Sequence, residues 1–115
     1  MPVPFSSWRP LVPSEVAQLP EAPGVFEIGT LVRTVLFIGA APESLLAVLT
    51  HHLGAPGHPL MQTSRLYFRY CPAEDPEPVQ VGLLHEYRRT HGGAPPPAQD
   101  MPAPPPGPRR HLKAV

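Results

Sequence analysis

The sequence predicts a small α+β domain, and three observations carry that reading. Two short runs, 24–28 and 34–38, are rich in β-branched and aromatic residues and bounded by glycines, the pattern of two strands in a hairpin. Two longer stretches, 43–53 and about 78–91, repeat apolar residues at helical spacing. Between them, 64–70 alternates: Leu66, Phe68 and Tyr70 fall on one face of a strand, and Arg65, Tyr67 and Arg69 on the other.

Residues 1–12 form an arm with Pro2, Pro4 and Pro10 around Phe5 and Trp8. Proline lacks the amide hydrogen and clashes with a preceding helical turn, so the arm cannot be a regular helix. Its two aromatics either pin it to the domain or serve as anchors for a partner protein, as buried aromatics do at interfaces. The domain proper is expected over 13–93. It opens with a short helix over 13–19, capped by Ser14 and ended by Pro20. The hairpin strands follow, joined by a short link, 29–34. Gly39-Ala40-Ala41-Pro42 reads as a tight exit from the second strand.

The first long helix starts near Pro42 or Ser44 and turns Leu45, Leu46, Val48, Leu49 and Leu53 inward. Gly54-Ala55-Pro56-Gly57-His58-Pro59 is a loop by composition. The acidic turn Glu74-Asp75-Pro76-Glu77 suits the positive pole of the next helix, and Arg88 and Arg89 suit its negative pole. Val81, Leu84, Leu83 and Tyr87 are the expected inward residues there, and Gly92-Gly93 the stop. From Ala94 the chain is dense in proline and has little to bury, so 94–115 reads as a polyproline-like tail with a basic end.

Composition narrows the function. A chain of 115 residues, 42% of them hydrophobic, fits one small domain with appendages. No apolar run approaches the roughly 20 residues of a membrane span, and no signal-peptide pattern opens the chain, so a cytoplasmic location is expected. The single cysteine, Cys71, excludes an internal disulfide and reads as a small residue at a strand end. Residues 1–93 carry six arginines against eight carboxylates, a net charge of −2. Residues 94–115 carry Arg109, Arg110 and Lys113 against Asp100, a net charge of +2. Duplex binding rests on neutralising phosphates, so this balance disfavours a nucleic-acid partner for the folded part.

The run Leu19-Pro20-Glu21-Ala22-Pro23-Gly24-Val25-Phe26, then Leu36-Phe37-Ile38-Gly39, then a helix ending in His51-His52, resembles the start of a GIY-YIG nuclease domain. Glu86-Tyr87-Arg88-Arg89-Thr90-His91-Gly92 is similar to the end of that family's last core helix. The resemblance spans about 20–93 and implies a three-stranded antiparallel sheet flanked by helices. It also implies where catalysis would sit. Family members use two tyrosines, a helix arginine and a glutamate that holds Mg²⁺ or Mn²⁺. Here the tyrosine places hold Phe26 and Phe37, and the arginine place holds Val48. His52 matches a histidine that some members carry, and Glu86 is the candidate metal ligand.

A phenyl ring has no proton to exchange, and valine cannot clamp a phosphate. Each such loss costs on the order of 10²–10⁴ in rate. The expectation is therefore a catalytically degenerate domain, without a cofactor, that binds or assembles with a partner protein. The alternative is a metal-dependent DNA endonuclease with atypical catalytic groups.

Other chemistry is thinner. Adjacent His51 and His52 point about 100° apart on a helix, so one metal cannot readily use both. A zinc site from His52, His58 and Cys71 matches no known spacing. His85-Glu86 lacks the second histidine of a metalloprotease helix. Arg109, Arg110 and Lys113 are candidates for touching an acidic partner, and Pro102–Pro105 has the PxxP form of a ligand for an aromatic groove.

Overall fold

The computed structural model describes residues 3–54 and 65–100. Its elements in chain order are β1 (Arg9–Pro10), α1 (Pro13–Val16), β2 (Gly24–Gly29), β3 (Val35–Ala41), α2 (Leu45–Gly54), β4 (Tyr67–Pro72) and α3 (Pro76–Thr90). The strands form one antiparallel sheet in the order β1-β4-β2-β3.

The sheet has four strands, not the expected three, because the arm supplies one. Arg9 and Pro10 pair with Phe68 and Tyr67. The arm also bonds to β4 and the residue before it: Ser6 N–H donates to the Tyr70 carbonyl (2.8 Å), Leu11 N–H donates to the Leu66 carbonyl (2.9 Å), and the Ser6 hydroxyl accepts from Tyr70 N–H (3.1 Å). Pro10 fits there because an edge strand can spare one amide hydrogen. The prolines that exclude a helix are compatible with an edge strand, and that competing use was not legible in composition.

β3 also runs further than expected, taking in Gly39, Ala40 and Ala41. Gly39 lies opposite Phe26, and a Cβ there would fall 2.3 Å from the Phe26 ring. Only a glycine lets the strand continue past that ring. α1 is a single turn whose N-cap is Val12, with no side-chain cap from Ser14. Ser44, in contrast, caps α2: its hydroxyl accepts the Ala47 N–H at 3.1 Å.

The two faces of the sheet are covered differently. Phe26, Ile28, Phe37, Ala41 and Phe68 pack with Val16, Leu19, Leu45 and Leu49, so α1 and α2 cover one face. Val25 and Ile38, buried with alternate parity, face the other way, where α3 packs on β2 and β3. α3 binds its face lightly. Val81, expected inward, is 64% exposed, while Leu83, Leu84 and Tyr87 are half-buried. The helix ends as predicted: Gly92 and Gly93 take positive φ, and Gly93 N–H donates to the Arg88 carbonyl.

The packed chain continues past Gly93. Pro96 and Ala98 are buried, and Ala98 N–H donates to the Leu36 carbonyl at 2.8 Å. The Gln99 amide accepts from Ile38 N–H (2.8 Å) and donates to the Ile38 carbonyl (2.7 Å). Residues 96–99 thus close the outer edge of β3, which would otherwise present unpaired backbone groups. Among the described residues no helix is long and apolar enough to cross a membrane. His58, the PxxP segment, Arg109, Arg110 and Lys113 lie outside the described residues.

Candidate functional site

Phe26, Phe37 and His52 meet in one cluster. Phe26 comes from the middle of β2, and Phe37 from β3, one pair along the same face. α2 is fixed at its start by Leu45 N–H on the Ala22 carbonyl and Leu46 N–H on the Pro20 carbonyl. Leu45, Leu49 and His52 then recur at helical spacing on the side that meets the sheet. The ring centroids stand 5.9 Å apart for Phe26–Phe37, 5.7 Å for Phe26–His52 and 5.6 Å for Phe37–His52. Val48 lies on the same helix, half-buried against this core.

The cluster is closed. Phe26 is 1% exposed, Phe37 7% and His52 4%. Neither ring nitrogen of His52 has a hydrogen-bond partner among the described residues. Desolvation first, and the neighbouring His51 second, lower its pKa to about 4. At neutral pH the imidazole is uncharged and surrounded by rings and aliphatic groups. It can neither stabilise a developing charge nor reach water to activate it.

Glu86 is not part of this cluster. It lies exposed on α3, across the sheet, and its carboxylate is bound by Arg89. The hydrogen bond from Arg89 lowers its pKa. A metal ligand needs companions, and among the described residues no three His, Cys, Asp or Glu side chains gather closely enough to hold an ion. A carboxylate tied to a guanidinium does not fit the role of a lone metal ligand. Phe26, Phe37, Val48 and His52 are brought together, and Glu86 is not.

Residues 1–90 match the family described as a domain of unknown function, DUF7508. The chain belongs to that family. No curated protein matches it. The DUF7508 match begins at residue 1, so the family unit includes the arm that supplies β1.

A second cluster within that unit escaped the sequence reading. Glu27 is 5% exposed in the middle of β2, directly opposite Arg69 of β4. Arg69 holds it through Nε (2.9 Å) and a terminal nitrogen (2.8 Å). The guanidinium also lies 4.4 Å from the Phe5 ring centre and 4.8 Å from that of Trp8. Trp8 packs in turn over Gly29, where a Cβ would fall 3.2 Å from its ring. Phe5 and Trp8 are therefore engaged by the chain's own Arg69. A charged residue inside an apolar strand was the signal: Glu27 sits between Phe26 and Ile28, and only a facing cation makes that tenable.

Proposed function

We propose that this chain is a catalytically degenerate GIY-YIG-like domain that acts as a binding or assembly module for a partner protein. The observation that supports this most is the closed ring cluster. The residues at the expected catalytic places, Phe26, Phe37 and Val48, serve as core, and His52 is sealed among them, uncharged. The exposed carboxylate Glu86 is neutralised by Arg89, away from that cluster. Burial that excludes substrate favours a structural use of these side chains over a nuclease centre. A cytoplasmic location and a function without Mg²⁺ or Mn²⁺ go with the reading.

The test has two arms on the full chain. Supercoiled plasmid and single-stranded RNA are incubated with Mg²⁺ or Mn²⁺, with background cleavage expected. Metal-dependent nicking lost in Glu86→Ala would overturn the proposal. Affinity capture with quantitative mass spectrometry is then expected to return one stoichiometric protein partner. Return of none removes the assembly reading.

A further inference from the structure

The formal charge of zero hides a division along the strands. Register sets Gly29 of β2 level with Tyr67 of β4, and Tyr67 level with Pro10 of β1. The hairpin tip at 30–34, residues 65–66 and residues 11–12 therefore share one end of the sheet. Leu31 (69% exposed), Val32 (79%) and Val12 (36%) lie at that end. So do Arg9, Arg33 and Arg65. α3 starts just beyond β4, at the far end, and the chain after it returns to β3 at Leu36. Its C-terminus, with Arg88 and Arg89, thus points to the arginine end.

Glu15 and Glu86 lie at this end with arginines already bound: Glu15 to Arg9 (3.6 Å) and Glu86 to Arg89. Arg33, Arg65 and Arg88 are exposed at the same end. The opposite end, where Gly24, Ala41 and Pro72 are level, is flanked by Glu21, Glu43, Glu74, Asp75 and Glu77, without a Lys or Arg among the described residues. Residues 55–64 contribute no Asp, Glu, Lys or Arg to either end.

The tip is held firmly. Arg33 N–H donates to the Thr30 carbonyl (2.8 Å), Thr34 N–H to the Thr30 hydroxyl (3.2 Å), and Thr30 N–H to the Thr34 carbonyl (3.0 Å). Arg33 has φ of 67°, a left-handed conformation that glycine would adopt with less strain. An arginine in that place, beside two exposed aliphatic residues, points to use rather than to folding.

We propose that this end docks on an anionic lipid surface, with Leu31 and Val32 entering the interface and Arg33, Arg65 and Arg88 meeting head-group phosphates. An aliphatic apex ringed by arginines matches an apolar layer beneath a charged one. The two exposed side chains of the tip, Leu31 and Val32, are aliphatic, whereas a nucleic-acid base stacks on aromatic rings. The carboxylate end stands a strand length away, roughly 20 Å, beyond the ~8 Å over which charges act in physiological salt. It therefore orients the domain away from the surface without cancelling the attraction. This goes beyond the assembly reading and does not depend on it.

Flotation of the full chain tests the proposal, using vesicles of phosphatidylcholine alone and vesicles about a third phosphatidylserine. Binding to the second and not the first is expected, weakening at high salt. Each arginine near such a surface contributes roughly fivefold, so Arg33→Gly with Arg65→Ser should weaken binding at least about tenfold. Leu31→Ser with Val32→Ser should weaken it as well. All four positions are exposed, and unchanged thermal melting confirms that the variants fold. No flotation, equal flotation on both vesicles, or variants that float like the parent would overturn the proposal. Binding to a duplex oligonucleotide that these variants abolish, without flotation, would assign the surface to nucleic acid instead.

Discussion

Glu27 and His52 are buried to the same degree, at 5% and 4% exposure, on opposite faces of one sheet. Glu27 is paired: Arg69 binds it twice, and Phe5 and Trp8 cover Arg69. His52 gives up its charge, and its ring nitrogens have no partner among the described residues, with Phe26 and Phe37 packed against it. A charge buried with its partner makes the structure depend on that partner. A titratable group buried alone makes it depend on pH instead. The two faces therefore should fail under different insults.

The largest effect is expected on the paired face. Arg69→Ala leaves the Glu27 carboxylate buried and alone and should lower unfolding free energy by about 3–5 kcal/mol in denaturant titration. Glu27→Leu should cost clearly less, because Arg69 is 32% exposed in its side chain and can turn to water. Equal losses would mean that the pair, rather than the stranded charge, sets the cost. Arg69→Ala should also release the arm, which increased amide exchange at Ser6 and Leu11 would report.

Acid should act on the other face. His52 titrates near 4 when folded, against 6.5 for the ordinary side chain. Between those values the unfolded chain carries a proton that the folded chain refuses. Stability from this group is thus constant above about pH 6.5, falls as pH drops toward 4, and levels off below. The loss comes to about 3 kcal/mol at roughly 1.4 kcal/mol per unit. Melting curves across that range should show it in the parent, and His52→Leu should remove that part of the slope.

These contrasts also separate what the sequence disclosed from what it withheld. Local rules worked where one element decides its own form. The hairpin glycines, the helix start near Ser44, the alternation from Leu66 to Tyr70 and the Gly92-Gly93 stop were legible for that reason. They did not work where two distant segments decide together. Pro10 became a strand residue because β4 had a free edge. Val81 stayed outside because α3 lies lightly on its face, which its own periodicity cannot report. The grouping of Phe26, Phe37 and His52 in the candidate site was reached through resemblance, while the Glu27–Arg69 pair needed the register of β2 against β4.

The tail supplies a third way of meeting a polar group, intermediate in effect. The Ile38 backbone at the sheet edge is matched by the Gln99 side chain, and Gln80 Nε2 donates to the same carbonyl at 3.1 Å. Gln99→Ala removes two hydrogen bonds at a part-buried site and should cost about 1–2 kcal/mol. Ending the chain after Gly93 should cost more, since Pro96 and Ala98 lose their packing as well. Ending it after Asp100 keeps the described contacts and tests whether 101–115 adds anything. A truncation at Gly93 with an unchanged melting temperature would show that the β3 edge does not need this cover.

The smallest effect is the most discriminating between the two faces. At neutral pH, His52→Leu removes two buried nitrogens that have no partner among the described residues and keeps an apolar side chain against Phe26 and Phe37. Burying an unsatisfied polar group is unfavourable, and exchanging it for an apolar one of similar volume is neutral or stabilising. The variant should therefore match the parent or exceed it by about 1 kcal/mol in denaturant titration at pH 7.5. That outcome would make His52 a tolerated liability of the core, unlike Glu27, whose removal is never free of Arg69. A loss of about 2 kcal/mol or more would mean that the imidazole makes a polar contact in solution, and the difference drawn between the faces would fail.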